Sequence, residues 1–395
     1  MASRLLATKA ARTSRRGRGA NAHGFGCARY LTIPLACHAA THPVVFTGLH
    51  APLATVPDNQ IPLAVDLDGT LIRSDMLWES LVRLLRERPL QAVAVPIWWL
   101  QGRAHLKQQL AARVRVDPAR LPYNEELITW LKEQKRSGRL LILATASDIA
   151  MANPVAQYVG LFDGVMASDG KINLRHAAKL RALTERFGPR GFDYAGNSAV
   201  DLGVWAGTRE AIVVNGTNRL AQRAAQTTKV GKVFPTKPST LAALLTALRP
   251  HQWATNLIVF LPALMAHQPG QTTILGLAAR AFVAFCLCAS AVYLFNDLRD
   301  LEADRNHPTQ RRRPLASGAL PLSEGLIAAP SLLLGALGVA LSLSVAFLAV
   351  ALGYFIVAVA YSWRLKRIAR LNGLVLVGLL MWRVLAGYIA TQPAG

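Results

Sequence analysis

From Leu326 to Trp363 the chain runs for 38 residues without a charged side chain. One helix of that length would rise about 57 Å, far beyond a hydrocarbon core of about 30 Å. Two membrane-crossing helices joined by a turn near residues 341–344 fit the stretch, and a water-soluble domain does not. Further apolar runs lie at about 253–267, 272–295 and 371–390, so the sequence predicts five spans. Pro262 falls in the first run, and Arg280 and Arg383 lie within the second and last.

The rest of the chain is different in kind. A hydrophobic fraction of 52% coexists with a net charge of +22, which requires that apolar and charged residues be segregated. The apolar runs concentrate after residue 250, whereas residues 60–240 have the composition of an ordinary soluble domain. A basic chain of this kind suggests nucleic acid as a partner. Here the Lys and Arg are scattered or flank apolar segments, where they set topology or meet anionic lipid, and no nucleic-acid motif accompanies them. Cys27, Cys37, Cys286 and Cys288 have neither zinc nor disulfide-framework spacing. Residues 1–57 hold seven Lys or Arg and no acid; their composition suits a transit peptide, or a disordered basic tail.

In the soluble half, "IPLAVDLDGTLIRSD" (61–75) places an apolar strand before Asp66 and Asp68, with Gly69 to turn the chain. Carboxylates at the end of a central strand stand where doubly wound sheets carry their chemistry. Strand-like runs recur at 140–146, 192–197 and 211–215, with helical patterns between them such as 125–138. The alternation predicts an α/β, doubly wound parallel sheet over about 58–235. Segment 76–122, with Trp78, Trp98 and Trp99, reads as a helical cap.

This half resembles the haloacid dehalogenase (HAD) superfamily over roughly residues 60–220, through "DLDGT", "LATAS", a lysine in "HAAKLRAL" and "GNSAVD". The resemblance implies that Asp66 is a nucleophile toward phosphorus and Asp68 an acid/base. It implies that Thr145 and Lys179 hold phosphate oxygens, and that Asp66, Asp68 and Asp201 hold Mg²⁺. A carboxylate can form an acyl phosphate, and Mg²⁺ takes oxygen ligands. Asn197 stands where the superfamily usually has Asp, which removes one negative charge from the site.

The second apolar run leads straight into "NDLRDLEADRNHPTQRRRP" (296–314). If its helix continues, Asp297, Asp300 and Asp304 share a face at i, i+3 and i+7, Asn296 flanks it, and Glu302 points away. Three carboxylates so placed repel unless a cation lies between them. Mg²⁺ carrying a diphosphate answers that need, with the following arginines as further phosphate contacts. Acidic residues at the membrane end of a helix suit a lipid whose tail is in the bilayer and whose head group is on the metal. The alternative is a solvated loop whose charges only set topology. Basic residues cluster at 299–313 and 364–370, while the other connections carry no charge. The positive-inside rule then places both clusters and the soluble domain in the cytoplasm, on a multi-pass integral membrane protein.

Residues 248–392 resemble the UbiA family of intramembrane prenyltransferases, through "NDLRDLEAD", "RPHQW" and "RRRPLASG". They are most similar to the branch that transfers phosphoribosyl groups to polyprenyl phosphates. The resemblance implies Mg²⁺-assisted loss of diphosphate, with Asp297, Asp300 and Asp304 on metal and Asn296, Arg311, Arg313 and Lys366 on substrate. The substrate would be a prenyl diphosphate or a polyprenyl phosphate lipid. Thr255 and Asn372 depart from the usual pattern. The family bundle encloses its cavity with about nine helices, so a five-span chain is expected to be a fragment, a broken reading frame or half of an assembly. The competing reading is a membrane-anchored HAD-type phosphatase, or an inactive fragment.

Overall fold

The computed structural model describes residues 61–169, 173–235, 239–265, 271–363 and 369–392. The front part is a parallel six-stranded sheet in the order β3-β2-β1-β4-β5-β6. Its strands are β1 (Leu63–Val65), β2 (Leu141–Asp148), β3 (Gly164–Ser168), β4 (Asp193–Gly196), β5 (Glu210–Gly216) and β6 (Lys229–Pro235). Alternate residues of β1 supply the two sides of the sheet. Leu63 and Val65 join one buried cluster and Ala64 the other. β1 pairs with both β2 and β4, so the strand order reverses at its C-terminal end and opens a crevice there.

Between β1 and β2 the chain leaves the sheet to form the cap: α1 (Met76–Glu87), α2 (Pro89–Ala92), α3 (Val95–Leu100) and α4 (Arg103–Arg113). Asp75 caps α1 by accepting from the Leu77 amide at 2.8 Å. The outgoing and returning connections are zipped together: Arg73 N donates to Pro122 O at 2.8 Å and Asn124 N to Leu71 O at 2.9 Å. The helices α5 (Glu125–Arg136), α6 (Ile149–Val159), α7 (Ala177–Phe187), α8 (Leu202–Trp205) and α9 (Asn218–Ala225) cover the sheet. Two strands stand beyond the sequence expectation. β3 is a short run of small residues, and β6 is an edge strand whose lysines break its apolar pattern.

The rear part opens with α10 (Thr240–Leu248) and a 3₁₀ segment, Pro250–Phe260, which runs into the short α11 (Leu261–Met265). Four helices follow that are long and apolar enough to cross a membrane: within α12 (Gln271–Arg299), α14 (Leu322–Leu341), α15 (Val345–Trp363) and α16 (Ala369–Thr391). The expected first span is therefore corrected among the described residues: the count is four, and residues 250–265 form a short wound segment. The segment is tied down by its neighbours. Trp253 Nε1 donates to Ser290 Oγ at 3.0 Å, and a Cβ on Gly387 would lie 2.1 Å from Val259 O. The turn between α14 and α15 falls where the uncharged stretch predicts it. Arg383 pairs within the bundle, donating to Asn256 Oδ1 at 2.8 Å and to Tyr354 OH at 2.5 Å.

The front and rear parts meet through α1. Val82 packs in one cluster with Ala243, Leu294, Leu298 and Leu320. Beside it, α13 (Leu301–Asn306) turns its outward face to the cap.

Candidate functional site

The front crevice is built by backbone geometry before any side chain acts. Gly69 has φ +75, and a Cβ there would lie 2.2 Å from Asn197 Nδ2, so only glycine lets the loop close on β4. Asp66 leaves the end of β1 and accepts at Oδ1 from Leu67 N and Lys179 Nζ, both at 2.9 Å. Lys179, buried on α7, also donates to Tyr194 OH at 2.8 Å. Tyr194 passes the chain on to Asp201 Oδ1 at 3.1 Å. Asp201 is fixed in turn at Oδ2 by the amides of Asn197 and Ser198, each at 3.0 Å. Asp68 accepts from Met76 N at 2.8 Å and from Ser147 Oγ at 2.6 Å.

These groups face a cavity of about 280 Å³ lined by Asp66, Asp68, Asp75, Asp201, Lys107 and Lys179, with His176 on its wall. Burial pushes the Asp66 carboxyl up to about 6, with Asp201 and Asp68 adding to the rise and Lys179 opposing it. Burial also lifts Asp68 to about 6, helped by Asp75 and opposed by Lys107. A carboxyl held near 6 can give and take a proton around neutral pH. The sequence reading did not single out Asp75, Lys107, Ser147 or Tyr194. Asp75 carries a signal as an N-cap residue just after the acidic loop, and Ser147 closes "LATAS". Thr145 is fully buried and accepts from Ser147 N at 3.0 Å, one layer behind the residues that line the cavity.

The second cluster lies where α12 gives way to α13. The helix bends at Asp300, yet Asp300 N still bonds to Asn296 O and Asp304 N to Asp300 O, each at 2.8 Å. Helical phase therefore survives the bend, and Asp297 and Asp304 come to one side. Arg313 Nη1 donates to both, at 3.2 Å and 2.8 Å. Arg249 Nη2 donates to the same Asp297 Oδ1 at 2.6 Å and lies 5.0 Å over the Tyr293 ring. Arg249 was not among the expected site residues, although it opens "RPHQW". Asn296 Nδ2 donates to Ser362 Oγ at 2.8 Å, joining the ends of α12 and α15. Arg311 is exposed, and among the described residues the ion pairs to Asp297 and Asp304 come from Arg249 and Arg313 instead. Lys366 lies outside the described residues.

Asp297 is 2% exposed, and among the described residues its Oδ2 is buried without a hydrogen-bond partner. A buried carboxylate oxygen with nothing to accept from is costly, and a hard divalent cation is the kind of ligand that would satisfy it. Among the described residues no three His, Cys, Asp or Glu side chains close around a point as a metal cage. The unsatisfied Asp297 oxygen fits a hard cation such as Mg²⁺ in chemistry, with further ligands to come from phosphate and water.

The outward face of α13 holds the cap. Glu302 is clasped by Arg83 at 3.1 Å, Arg86 at 2.7 Å and Arg120 at 3.1 Å. Arg305 pairs with the buried Glu79 at 2.7 and 3.0 Å. Gly318, at φ +73, packs against Arg73; a Cβ there would lie 2.6 Å from the Arg73 Cβ. One short segment thus carries the acidic cluster on one side and the front domain on the other.

Residues 256–394 match the UbiA prenyltransferase family. The uncharacterised protein y4nM of Sinorhizobium fredii is 36% identical over 84% of this chain and 64% of its own length. Decaprenyl-phosphate phosphoribosyltransferase of Mycobacterium tuberculosis H37Rv is 38% identical over 38% of this chain and 52% of its own. The chain thus spans about half to two thirds of the length of these relatives. Among solved structures, a Bordetella pertussis protein of unknown function covers 44% of this chain at 16% identity and TM-score 0.35. A phospho-aspartyl intermediate analogue of phosphoserine phosphatase covers 47% at 14% identity and TM-score 0.32. The rear of the chain, built on the helices that carry Asp297, Asn256 and Arg383, is a UbiA family domain.

Proposed function

We propose that the rear domain is a membrane transferase that moves a group from a diphosphate-activated donor to an acceptor, one of the two being a polyprenyl lipid. The observation that carries the reading is the Asp297–Arg313–Asp304 bridge, with Arg249 on the same carboxylate and one Asp297 oxygen unsatisfied. Such a site holds negative and positive groups in balance without a ligand. A metal-bound diphosphate would bring both charges, the cation to Asp297 and Asp304 and the phosphates to Arg313 and Arg249. Mg²⁺, when bound, would neutralise the departing diphosphate. The chain's own groups would orient the donor at the membrane surface and hold its charge. The named mycobacterial relatives support phosphoribosyl transfer to a polyprenyl phosphate over prenyl transfer to a small acceptor. The positive-inside rule supports a cytoplasmic side for the front domain and both basic clusters.

The test uses the chain in its own membranes, supplied with labelled phosphoribosyl diphosphate or labelled prenyl diphosphate, with and without Mg²⁺. The expected result is lipid-extractable label from the phosphoribosyl donor, falling by about 10²-fold or more in Asp297→Asn. Equal transfer by Asp297→Asn and wild type would overturn the reading.

A second activity is favoured by the front cavity, where Asp66, Asp68, Lys179 and Asp201 face one space even with Asn197 in place of an acid. Asp66 is placed to attack a phosphomonoester, forming an acyl phosphate and releasing the alcohol, whose oxygen takes a proton from Asp68. Water then attacks the acyl phosphate and returns a proton to Asp68, releasing inorganic phosphate. Lys179 holds charge on the transferred group throughout.

A further inference from the structure

The cap carries a stretch unlike the rest of the front domain. From Pro89 to Gly102 it reads P-L-Q-A-V-A-V-P-I-W-W-L-Q-G, with no charged residue. It folds as α2 and α3, and Leu90, Val93, Ile97, Trp99 and Leu100 are all exposed, Leu90 by 88% and Leu100 by 86%. Trp98 alone turns fully inward, with the Arg113 guanidinium 4.5 Å from its ring. A contiguous apolar surface of this kind marks a place meant to be covered.

Two observations say by what. The first is position. Arg86, three residues before Pro89, is held to Glu302 at 2.7 Å, and Val82 packs with Leu294 and Leu298 at the end of α12. The apolar stretch therefore leaves an established interface at the foot of helices apolar enough to cross a bilayer. The second is the pattern. Exposed Arg88 and Arg103 bracket the stretch, and Arg103 lies 5.4 Å over the Trp99 ring. Apolar and tryptophan side chains flanked by arginine form the signature of a segment lying in the membrane interface, the arginines on lipid phosphate and the apolar groups among acyl chains.

We propose that α2 and α3 lie in the interfacial layer of the membrane and bind the cap to anionic lipid. The ring centroids of Trp99 and Trp78 are 6.1 Å apart, and Trp78 lines the front cavity. The lipid surface thus comes within two aromatic rings of the front site. The inference depends on neither site's chemistry.

The test is photolabelling of the unmodified chain in vesicles of phosphatidylcholine and phosphatidylglycerol, using a lipid with a diazirine on its acyl chain. Trypsin then releases the stretch as peptide 87–103, because it does not cut before Pro89. The expected result is label on this peptide, as on peptides from α16, and none on peptides from α5. An unlabelled 87–103 beside a labelled α16 would overturn the proposal. A nitroxide on an introduced Cys at position 100, an exposed site where no packing is lost, gives a second reading. Little spin–spin broadening is expected. Strong broadening would mean that a second copy covers the face, and would also overturn it. Leu90→Glu with Leu100→Glu is expected to cut the labelling of 87–103 several-fold, leaving α16 labelling unchanged.

Discussion

Asp66 and Asp68 show how much a site depends on groups that no motif names. Each is lifted to about 6 chiefly by burial. A carboxyl raised in the folded state favours folding while it stays protonated. That contribution is complete below the unfolded value of 3.8 and is lost as pH rises through about 6. The front domain is therefore expected to lose stability between about pH 4 and 6, by roughly 2–3 kcal/mol for one such shift taken alone. In Asp66→Asn the slope should flatten, whatever the cost of leaving buried Lys179 without its carboxylate; thermal melts across pH 4–8 check it, and an unchanged slope would contradict the assignment. Gly69→Ala meets both a left-handed backbone and the Asn197 side chain. It should cost about 1–2 kcal/mol and abolish phosphate release, as melts and a phosphomonoesterase assay would show. Asp66, Asp68, Lys179 and Asp201 were legible because they sit in short ordered motifs. Lys107 and Arg249 were not, because each reaches its partner only through the folded chain, as Arg249 does across 48 positions to Asp297.

At the level of elements, α12 and α13 keep helical register through a bend at Asp300, and Arg313 joins two of the three expected carboxylates, Asp297 and Asp304. Helical register puts Glu302 on the other face, and the structure supplies the reason for a charge there: three arginines of the cap and its connection. Arg305 with Glu79 is the more buried pair, with side chains 7% and 4% exposed. Removing one partner strands the other, so Glu79→Gln is expected to weaken the docking of α1 by about 3–5 kcal/mol. Hydrogen exchange in α1 and Leu301–Asn306 should speed up together in this variant, and exchange confined to α1 would contradict a shared latch. The exposed Arg120–Asp117 pair should matter little by comparison. The expected first span failed for a physical reason. Apolar composition permits a helix at 253–267, but Pro250 precedes the segment and Pro262 interrupts it, and Trp253 and Asn256 are held by α12 and α16 in a tighter winding.

Across the whole molecule, the division into a sheet domain and a helical membrane part was legible from the segregation of charge together with the alternation of strands and helices. Their close union was not, since Val82, Glu302, Arg305 and Gly318 are unremarkable in sequence. We propose that the two acidic clusters serve two chemistries, Asp66 and Asp68 in phosphate release and Asp297 and Asp304 in group transfer. Both activities are best measured on the same membranes, with phosphoribosyl transfer to lipid and phosphate release from a phosphomonoester followed in parallel. Asp66→Asn is predicted to lose phosphate release and keep transfer, and Asp297→Asn with Asp304→Asn to lose transfer and keep phosphate release. Loss of both activities in either variant, or of neither, would contradict the claim.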